Sequence, residues 1–356
     1  MSPSVSFETL PKGLEPAHLR VVDLKRLQSG SPSEQSSLLQ AAIEDGFFYL
    51  HLGPLATVPI WENVDKVFEF SETLFAYDAV VKSAFDVDSI SKTKTNGYKP
   101  KGRNIVDKNG TRDKFESWVL PSNGLFQLGD DPFPHPPVVA ASMGPLRALI
   151  SDLKAAAETI FKSLSASLDL KAGQRFEEFH NPTRPAPDIL RILKYHENQH
   201  IGGAVPQTPH TDLGSLTFVF SNTPGLQVLP VNIPTEPGVS HPESCWQYVA
   251  PREGCAVVNL GDCMTKLTNG LLKSALHRVG PLPGQPMPER YSFAYLMRPE
   301  ASTLLRTLES PLVQRPETEE APVTSNEWIQ RKFKALRGTQ ALHRDDVLSG
   351  GRSVMV

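Results

Sequence analysis

His210-Thr211-Asp212, Ser274-Ala275-Leu276-His277-Arg278-Val279 and Arg290-Tyr291-Ser292, all within residues 210–298, decide how this chain is read. In an extended segment residues i and i+2 point to one face, so His210 and Asp212 turn the same way and Thr211 turns away. His277 shares its face with Ala275 and Val279, which lets a third ligand arrive on the same surface. Two imidazoles and one carboxylate on one face of an octahedron leave three positions open, as non-haem Fe(II) sites require. Each part alone is ordinary, since a His-x-Asp is commonly a turn around a hydrogen-bonded histidine. The joint pattern carries the reading.

Arg290 and Ser292 add to it, again at i and i+2, on a strand whose other face holds Tyr291, Phe293, Tyr295 and Met297. An inward guanidinium inside a barrel is costly unless it meets an anion. Arginine binds a carboxylate with a planar fork, and serine adds a neutral donor. The pair therefore suits the far end of a small dicarboxylate; a structural ion pair with a protein carboxylate is the competing possibility.

Outward from this stretch, short apolar runs separated by Gly, Pro and Asn predict an antiparallel barrel or jelly roll. The strands expected are 189–195, 216–220, 226–229, 246–249, 256–260, 272–279 and 291–297, with a surface excursion over 232–244. Before them, Leu146, Leu149, Ile150, Leu153, Ala157, Ile160, Phe161, Leu164 and Leu168 trace the longest helical stripe. Further back, the pattern predicts a strand at 19–24, a helix through Leu38, Leu39, Ala42 and Ile43 ending at Gly46, a strand at 47–50 and a helix from about Pro59. Residues 91–123 are loop-like, with a strand at 112–118, and read either as a solvated surface loop or as a wall facing a substrate. At the other end Thr324 and Glu327 stand in capping-box spacing before Trp328, Ile329, Phe333 and Leu336, with Gly338 closing the helix.

The composition, 39% hydrophobic and 21% charged over 356 residues, is that of a globular protein. A formal charge of −3 offers no basic field for nucleic acid or an anionic membrane, so a small-molecule partner is expected. Neither a signal segment nor an apolar run of spanning length stands in the sequence, which predicts a cytoplasmic protein, with a monomer as the default. Cys245, Cys255 and Cys263 have no paired spacing and read as free thiols.

The run 209–217, Gly225-Leu226-Gln227-Val228, Val257-Val258-Asn259-Leu260-Gly261-Asp262, Thr268-Asn269-Gly270, 273–279 and Arg290-Tyr291-Ser292 closely resembles the isopenicillin N synthase-like branch of the Fe(II)/2-oxoglutarate-dependent dioxygenases. The likeness extends to Val22-Asp23-Leu24 and Gly46-Phe47-Phe48-Tyr49-Leu50, in the family's order. It implies a mainly β protein with flanking helices around a double-stranded β-helix core, His210, Asp212 and His277 on iron, and Arg290 and Ser292 on 2-oxoglutarate. Tyr195 falls where relatives have a tyrosine that helps fix this cosubstrate, but Leu193 stands where they commonly have asparagine. The implied reaction uses O2 and couples oxidative decarboxylation of 2-oxoglutarate to hydroxylation, desaturation or ring rearrangement of a small metabolite, of the secondary-metabolite kind. Two other readings stand beside it: an oxidase of the isopenicillin N synthase type that uses no 2-oxoglutarate, and a non-catalytic ligand-binding member of the fold. Candidates for the substrate pocket are Lys94, Asn96, Tyr98, Phe115 and Arg191, the last read equally as a structural ion pair. The expected organisation is 1–140, a mixed α/β region with substrate-facing loops; 141–185, a supporting helix and linker; 186–300, the catalytic core; and 301–356, a helical segment and tail.

Overall fold

The computed structural model describes residues 8, 10–12, 14, 16–91, 93–104, 111–197, 207–234, 241–318 and 321–335. The first unit is β1 (Val21–Asp23), α1 (Pro32–Gln40) and β2 (Phe47–His51). β1 ends where Asp23 caps the next turn, accepting from the Arg26 amide at 2.9 Å. A π-turn over Ala41–Asp45 extends α1 to Gly46, whose φ of 68° suits glycine, and where a Cβ would lie 2.8 Å from the Lys273 carbonyl oxygen. There follow α2 (Ile60–Phe75), β3 (Gly97–Lys99), β4 (Phe115–Pro121) and α3 (Met143–Ser167).

The second half supplies β5 (Ile189–Tyr195), β6 (Gln207–His210), β7 (Leu216–Ser221), β8 (Leu226–Val228), β9 (Gln247–Tyr248), β10 (Cys255–Leu260), β11 (His277–Val279) and β12 (Arg290–Met297). The larger sheet has the order β1-β2-β10-β7-β12-β5-β4-β3, and the smaller one β6-β11-β8-β9. With its flanking helices this is the jelly-roll architecture that the strand pattern predicted.

The period of two along each strand decides which side chain goes where. Leu190, Ile192, Phe218, Phe293 and Tyr295 leave the larger sheet on its outer face and join Leu149, Leu153, Ile160 and Phe161 of α3 in one buried cluster. Each such side chain stabilises the fold by about 1.5–3 kcal/mol as an upper estimate. The inner face sends Phe47, Tyr49, Phe115, Leu193 and Tyr195 against Leu226, Val228 and Val279 of the smaller sheet. That inner space holds the candidate site.

Several expectations shift. The strand expected over 272–279 is ordered as a ladder only at His277–Val279, because the Lys273 amide donates to the Ala42 carbonyl at 2.9 Å and draws the chain toward the end of α1. The strand at 246–249 shortens to Gln247–Tyr248, and the one at 112–118 moves to Phe115–Pro121, where it pairs with β5. At the far end α4 (Ser325–Ala335) has the expected capping box, with the Glu327 amide donating to Thr324 Oγ1 at 3.2 Å and the Thr324 amide to Glu327 Oε2 at 2.9 Å. Leu336, Gly338 and residues 235–240 of the excursion lie outside the described residues. Among the described residues no helix is long and apolar enough to cross a membrane.

On the outer face of β4, Glu116 is buried with its own set of partners. Lys82 Nζ donates to it at 2.8 Å, the Tyr98 hydroxyl at 2.7 Å, and the His196 ring lies 3.1 Å away. Burial alone would raise the Glu116 carboxyl, but these three partners outweigh it and hold the group at about 2. A depressed carboxylate contributes stability above its unfolded value and loses it as pH falls toward the folded one. Glu116→Gln, which strands Lys82, is expected to cost about 3 kcal/mol at pH 7 in urea unfolding. That deficit should shrink below about pH 4.5, where the unfolded carboxyl begins to take up its proton.

Candidate active site

His210 closes β6, Asp212 follows it, and His277 opens β11, paired directly opposite His210 in the ladder. The register therefore brings the two imidazoles together across 67 residues of chain, with ring centroids 4.3 Å apart. One ligand atom from each of His210, Asp212 and His277 lies within 4.8 Å of the others, and His277 Nε2 is 4.0 Å from Asp212 Oδ1. All three side chains are buried.

The surroundings of His277 and Asp212 orient them as donors for a divalent metal. His277 Nδ1 lies 3.1 Å from the Ala275 carbonyl, which calls for the proton on Nδ1 and leaves a lone pair on Nε2. Asn259 Nδ2 donates to Asp212 Oδ2 at 2.9 Å and orients Oδ1 toward the histidines. Burial would raise the Asp212 carboxyl, but His277, His210, Asn259 and Thr217 hold it well below the usual carboxylate range. An ionised carboxylate beside two imidazoles, with an outer hydrogen bond on two of the three ligands, is a donor set that fits Fe(II).

On the facing sheet Arg290 is 2% exposed and stands opposite Tyr195. Its Nε donates to the Thr223 carbonyl at 3.1 Å, its Nη1 to Ser292 Oγ at 3.3 Å, and its guanidinium lies over the Tyr195 ring at 5.1 Å. Among the described residues no carboxylate pairs with it. Gly225, whose φ of 140° suits glycine, lies against the Arg290 side chain. The Tyr195 hydroxyl donates to Gln207 Oε1 at 2.5 Å, and Gln207 Nε2 lies 3.2 Å from His210 Nε2. Arg290, Tyr195, Gln207 and His210 thus form a continuous path of contacts from the arginine to the triad.

Residues 187–299 match the 2OG-Fe(II) oxygenase superfamily. The chain is 28% identical over 343 residues to the 2-oxoglutarate-dependent dioxygenase frbH of Dothideomycetidae sp., covering 96% of this chain and 97% of that one. It is 37% identical over 161 residues to the 2-oxoglutarate-dependent dioxygenase iboH of Amanita muscaria, covering 44% of this chain and 72% of the relative. The chain belongs to the 2OG-Fe(II) oxygenase superfamily. Its fold is shared by a full-length Neurospora crassa protein in complex with alpha-KG and thymine, with a TM-score of 0.72 at 21% identity over 92% of this chain and 98% of that one. It is shared also by JOX2 in complex with 2OG, Fe and JA, with a TM-score of 0.69 at 21% identity over 96% of this chain and 92% of that one. The protein is therefore an oxidoreductase that uses Fe(II) and 2-oxoglutarate, and neither an oxidase without 2-oxoglutarate nor a non-catalytic binding module is favoured.

The substrate-side candidates of this oxygenase divide by strand parity. Phe115, Arg191, Leu193 and Tyr195 share the inner face, where Phe115 and Tyr195 rings stand 5.6 Å apart and the Arg191 guanidinium lies 5.7 Å from the Phe115 ring. Lys94, Asn96 and Tyr98 do not join them. Tyr98 is opposite Trp118 on the outer face and donates to Glu116; Asn96 Nδ2 donates to the Pro134 carbonyl at 3.2 Å; Lys94 pairs with Asp88. One residue along, Lys99 turns inward instead, 2.6 Å from Asp113 and 3.8 Å from the Phe115 ring. Gln207, Asn259 and Arg298 belong to the site's surroundings and were not singled out as site residues from the sequence. Two of them had a usable signal: Asn259 lies in the run 257–262 that carries the family resemblance, and Arg298, just past β12, is in step with Arg290 and Ser292.

Proposed function

We propose that His210, Asp212 and His277 hold the Fe(II), that Arg290 and Ser292 with Tyr195 hold the distal carboxylate of 2-oxoglutarate, and that Phe115 and Arg191 border the substrate. The observation that carries this reading is the buried Arg290, which has hydrogen bonds on two sides and no counter-ion among the described residues. A charge in that position is stable only when an anion meets it. The dianionic cosubstrate supplies one, and the path through Tyr195 and Gln207 to His210 connects that anion to the triad. The frbH and iboH names support the cosubstrate.

Bound Fe(II) supplies the activation of O2 that couples oxidative decarboxylation of 2-oxoglutarate, to succinate and CO2, with oxidation of a substrate C–H bond. The chain's own groups set the conditions. Ala275 keeps the His277 proton on Nδ1 and so keeps Nε2 unprotonated as a ligand. Asn259 holds the Asp212 carboxylate in one orientation. Leu193, Val228 and Val279 line the space between the sheets with apolar surface that excludes water. The substrate we propose is a small organic metabolite of specialised biosynthesis.

The test is succinate formation from 2-oxoglutarate by the purified protein, measured with and without O2 and Fe(II) across a panel of candidate metabolites. Both omissions are expected to abolish it, and a true substrate to stimulate it. Substrate turnover undiminished without 2-oxoglutarate would sink the reading.

A further inference from the structure

Arg290 is not the only unmatched cation on the inner wall. β5 presents Ile189, Arg191, Leu193 and Tyr195 inward, and β12 presents Arg290, Ser292, Ala294 and Leu296, with Arg298 next in step. Arg191 pairs across with Ala294, so it stands four residues from the Arg290–Tyr195 rung, roughly 13 Å at the strand rise. A five-carbon diacid that chelates the triad and ends on Arg290 does not extend to Arg191 as well.

The charge of Asp212 acts on both Arg191 and Arg298, and by the register Arg298 stands four residues beyond the Ala294–Arg191 rung on the same face. The acids around them are otherwise engaged. Asp113 is held by Lys99 at 2.6 Å. Asp188 accepts from the Arg298 backbone amide at 2.7 Å and from the Tyr295 hydroxyl at 2.9 Å, and its charge acts on the Arg298 guanidinium ahead of that of Asp212. The Arg298 side chain donates to the Pro187 carbonyl, and its buried Nε has no acceptor. Arg191 donates to no acceptor among the described residues, its buried Nε included. With Asp212 given to the metal and the cosubstrate matched by Arg290 and iron, one positive charge is left over at Arg191.

We infer that the primary substrate carries a single negative charge, a carboxylate, bound by the Arg191 fork with Arg298 further along the same face, while its apolar part lies along Val119, Ile189 and Leu296. Those three side chains form a buried apolar cluster on the same face. A phosphate monoester would bring about −1.5 to −2 and over-compensate one leftover cation, so a carboxylate is the better match. This inference rests on the proposed iron and cosubstrate assignment and adds the class of substrate to it.

The test uses the full chain loaded with Fe(II) and saturating 2-oxoglutarate without O2, titrated calorimetrically with two matched pairs, phenylacetate against phenylacetamide and hexanoate against hexanamide. Each acid is expected to bind at least about tenfold more tightly than its amide, the scale of one charge-assisted fork. Arg191→Gln should erase that preference, Arg298→Gln should reduce it, and Arg191→Lys should keep part of it. Because Arg191 has no counter-ion among the described residues, Arg191→Gln should also melt no lower than the parent, whereas loss of a structural ion pair would lower the melting temperature. Equal binding of acids and amides, no binding by either, a preference surviving Arg191→Gln, or a clear loss of stability in that variant would each overturn the inference. The dissociation constant of 2-oxoglutarate, measured in the same samples, reports separately on the cosubstrate site: normal 2-oxoglutarate binding with no acid preference refutes only the substrate class.

Discussion

Asp212→Ala is expected to lose bound iron and activity together. Asp212 is the one anionic group in the proposed set of three ligands, and its two oxygens have different surroundings: Oδ1 faces His277 and Oδ2 accepts from Asn259. Removing it leaves two neutral imidazoles to hold a divalent ion. The lost charge stabilisation, of the order of 4 kcal/mol, corresponds to about 10³-fold in succinate formation. Metal analysis after desalting should find iron near background, and the far-ultraviolet circular dichroism should remain that of the parent. Asn259→Ala should act in the same direction more weakly, by the 10–100-fold typical of groups that orient a ligand. Stoichiometric iron and parental succinate formation in Asp212→Ala would remove the triad assignment.

Arg290→Ala is expected to spare iron and weaken 2-oxoglutarate. The guanidinium is held between the Thr223 carbonyl and Ser292, over the Tyr195 ring, so it is oriented before any ligand arrives. Truncating one partner of a buried charge pair costs about 2–4 kcal/mol, or roughly 10²-fold in the KM for 2-oxoglutarate. Arg290→Lys should recover only part of this, because a point charge replaces a fork. Anaerobic titration of Fe(II)-loaded protein with 2-oxoglutarate checks the binding directly. If iron content fell while 2-oxoglutarate affinity held, the arginine would be supporting the metal rather than the cosubstrate.

The residues of the inner wall show where reading the sequence succeeded and where it stopped. Arg290, Ser292, His210 and Asp212 were legible because i, i+2 spacing puts residues on one face wherever the strand lies. The same rule, applied to Arg191, Leu193 and Tyr195, correctly gave their shared face. It could not separate Lys94, Asn96 and Tyr98 from Lys99 and Phe115, because a loop-like segment has no readable parity until it pairs with β4, and a shift of one residue exchanges the faces. That pairing turns Tyr98 out to Glu116 and Lys99 in toward Phe115.

Local pattern was enough for the class of fold, for the shared face of His210 with Asp212 and for that of Arg290 with Ser292, because strand periodicity and side-chain chemistry are properties of short segments. The partners of those residues were not, because they come from contacts between distant segments. Gln207 reaches Tyr195, Asn259 reaches Asp212, and Lys273 is drawn to Ala42, each through a register or an approach that no neighbouring residue encodes. Whether a buried arginine has a counter-ion is likewise decided only when the sheets face each other. Tertiary structure left Arg191 without one among the described residues, and that absence is what points to the charge of the substrate.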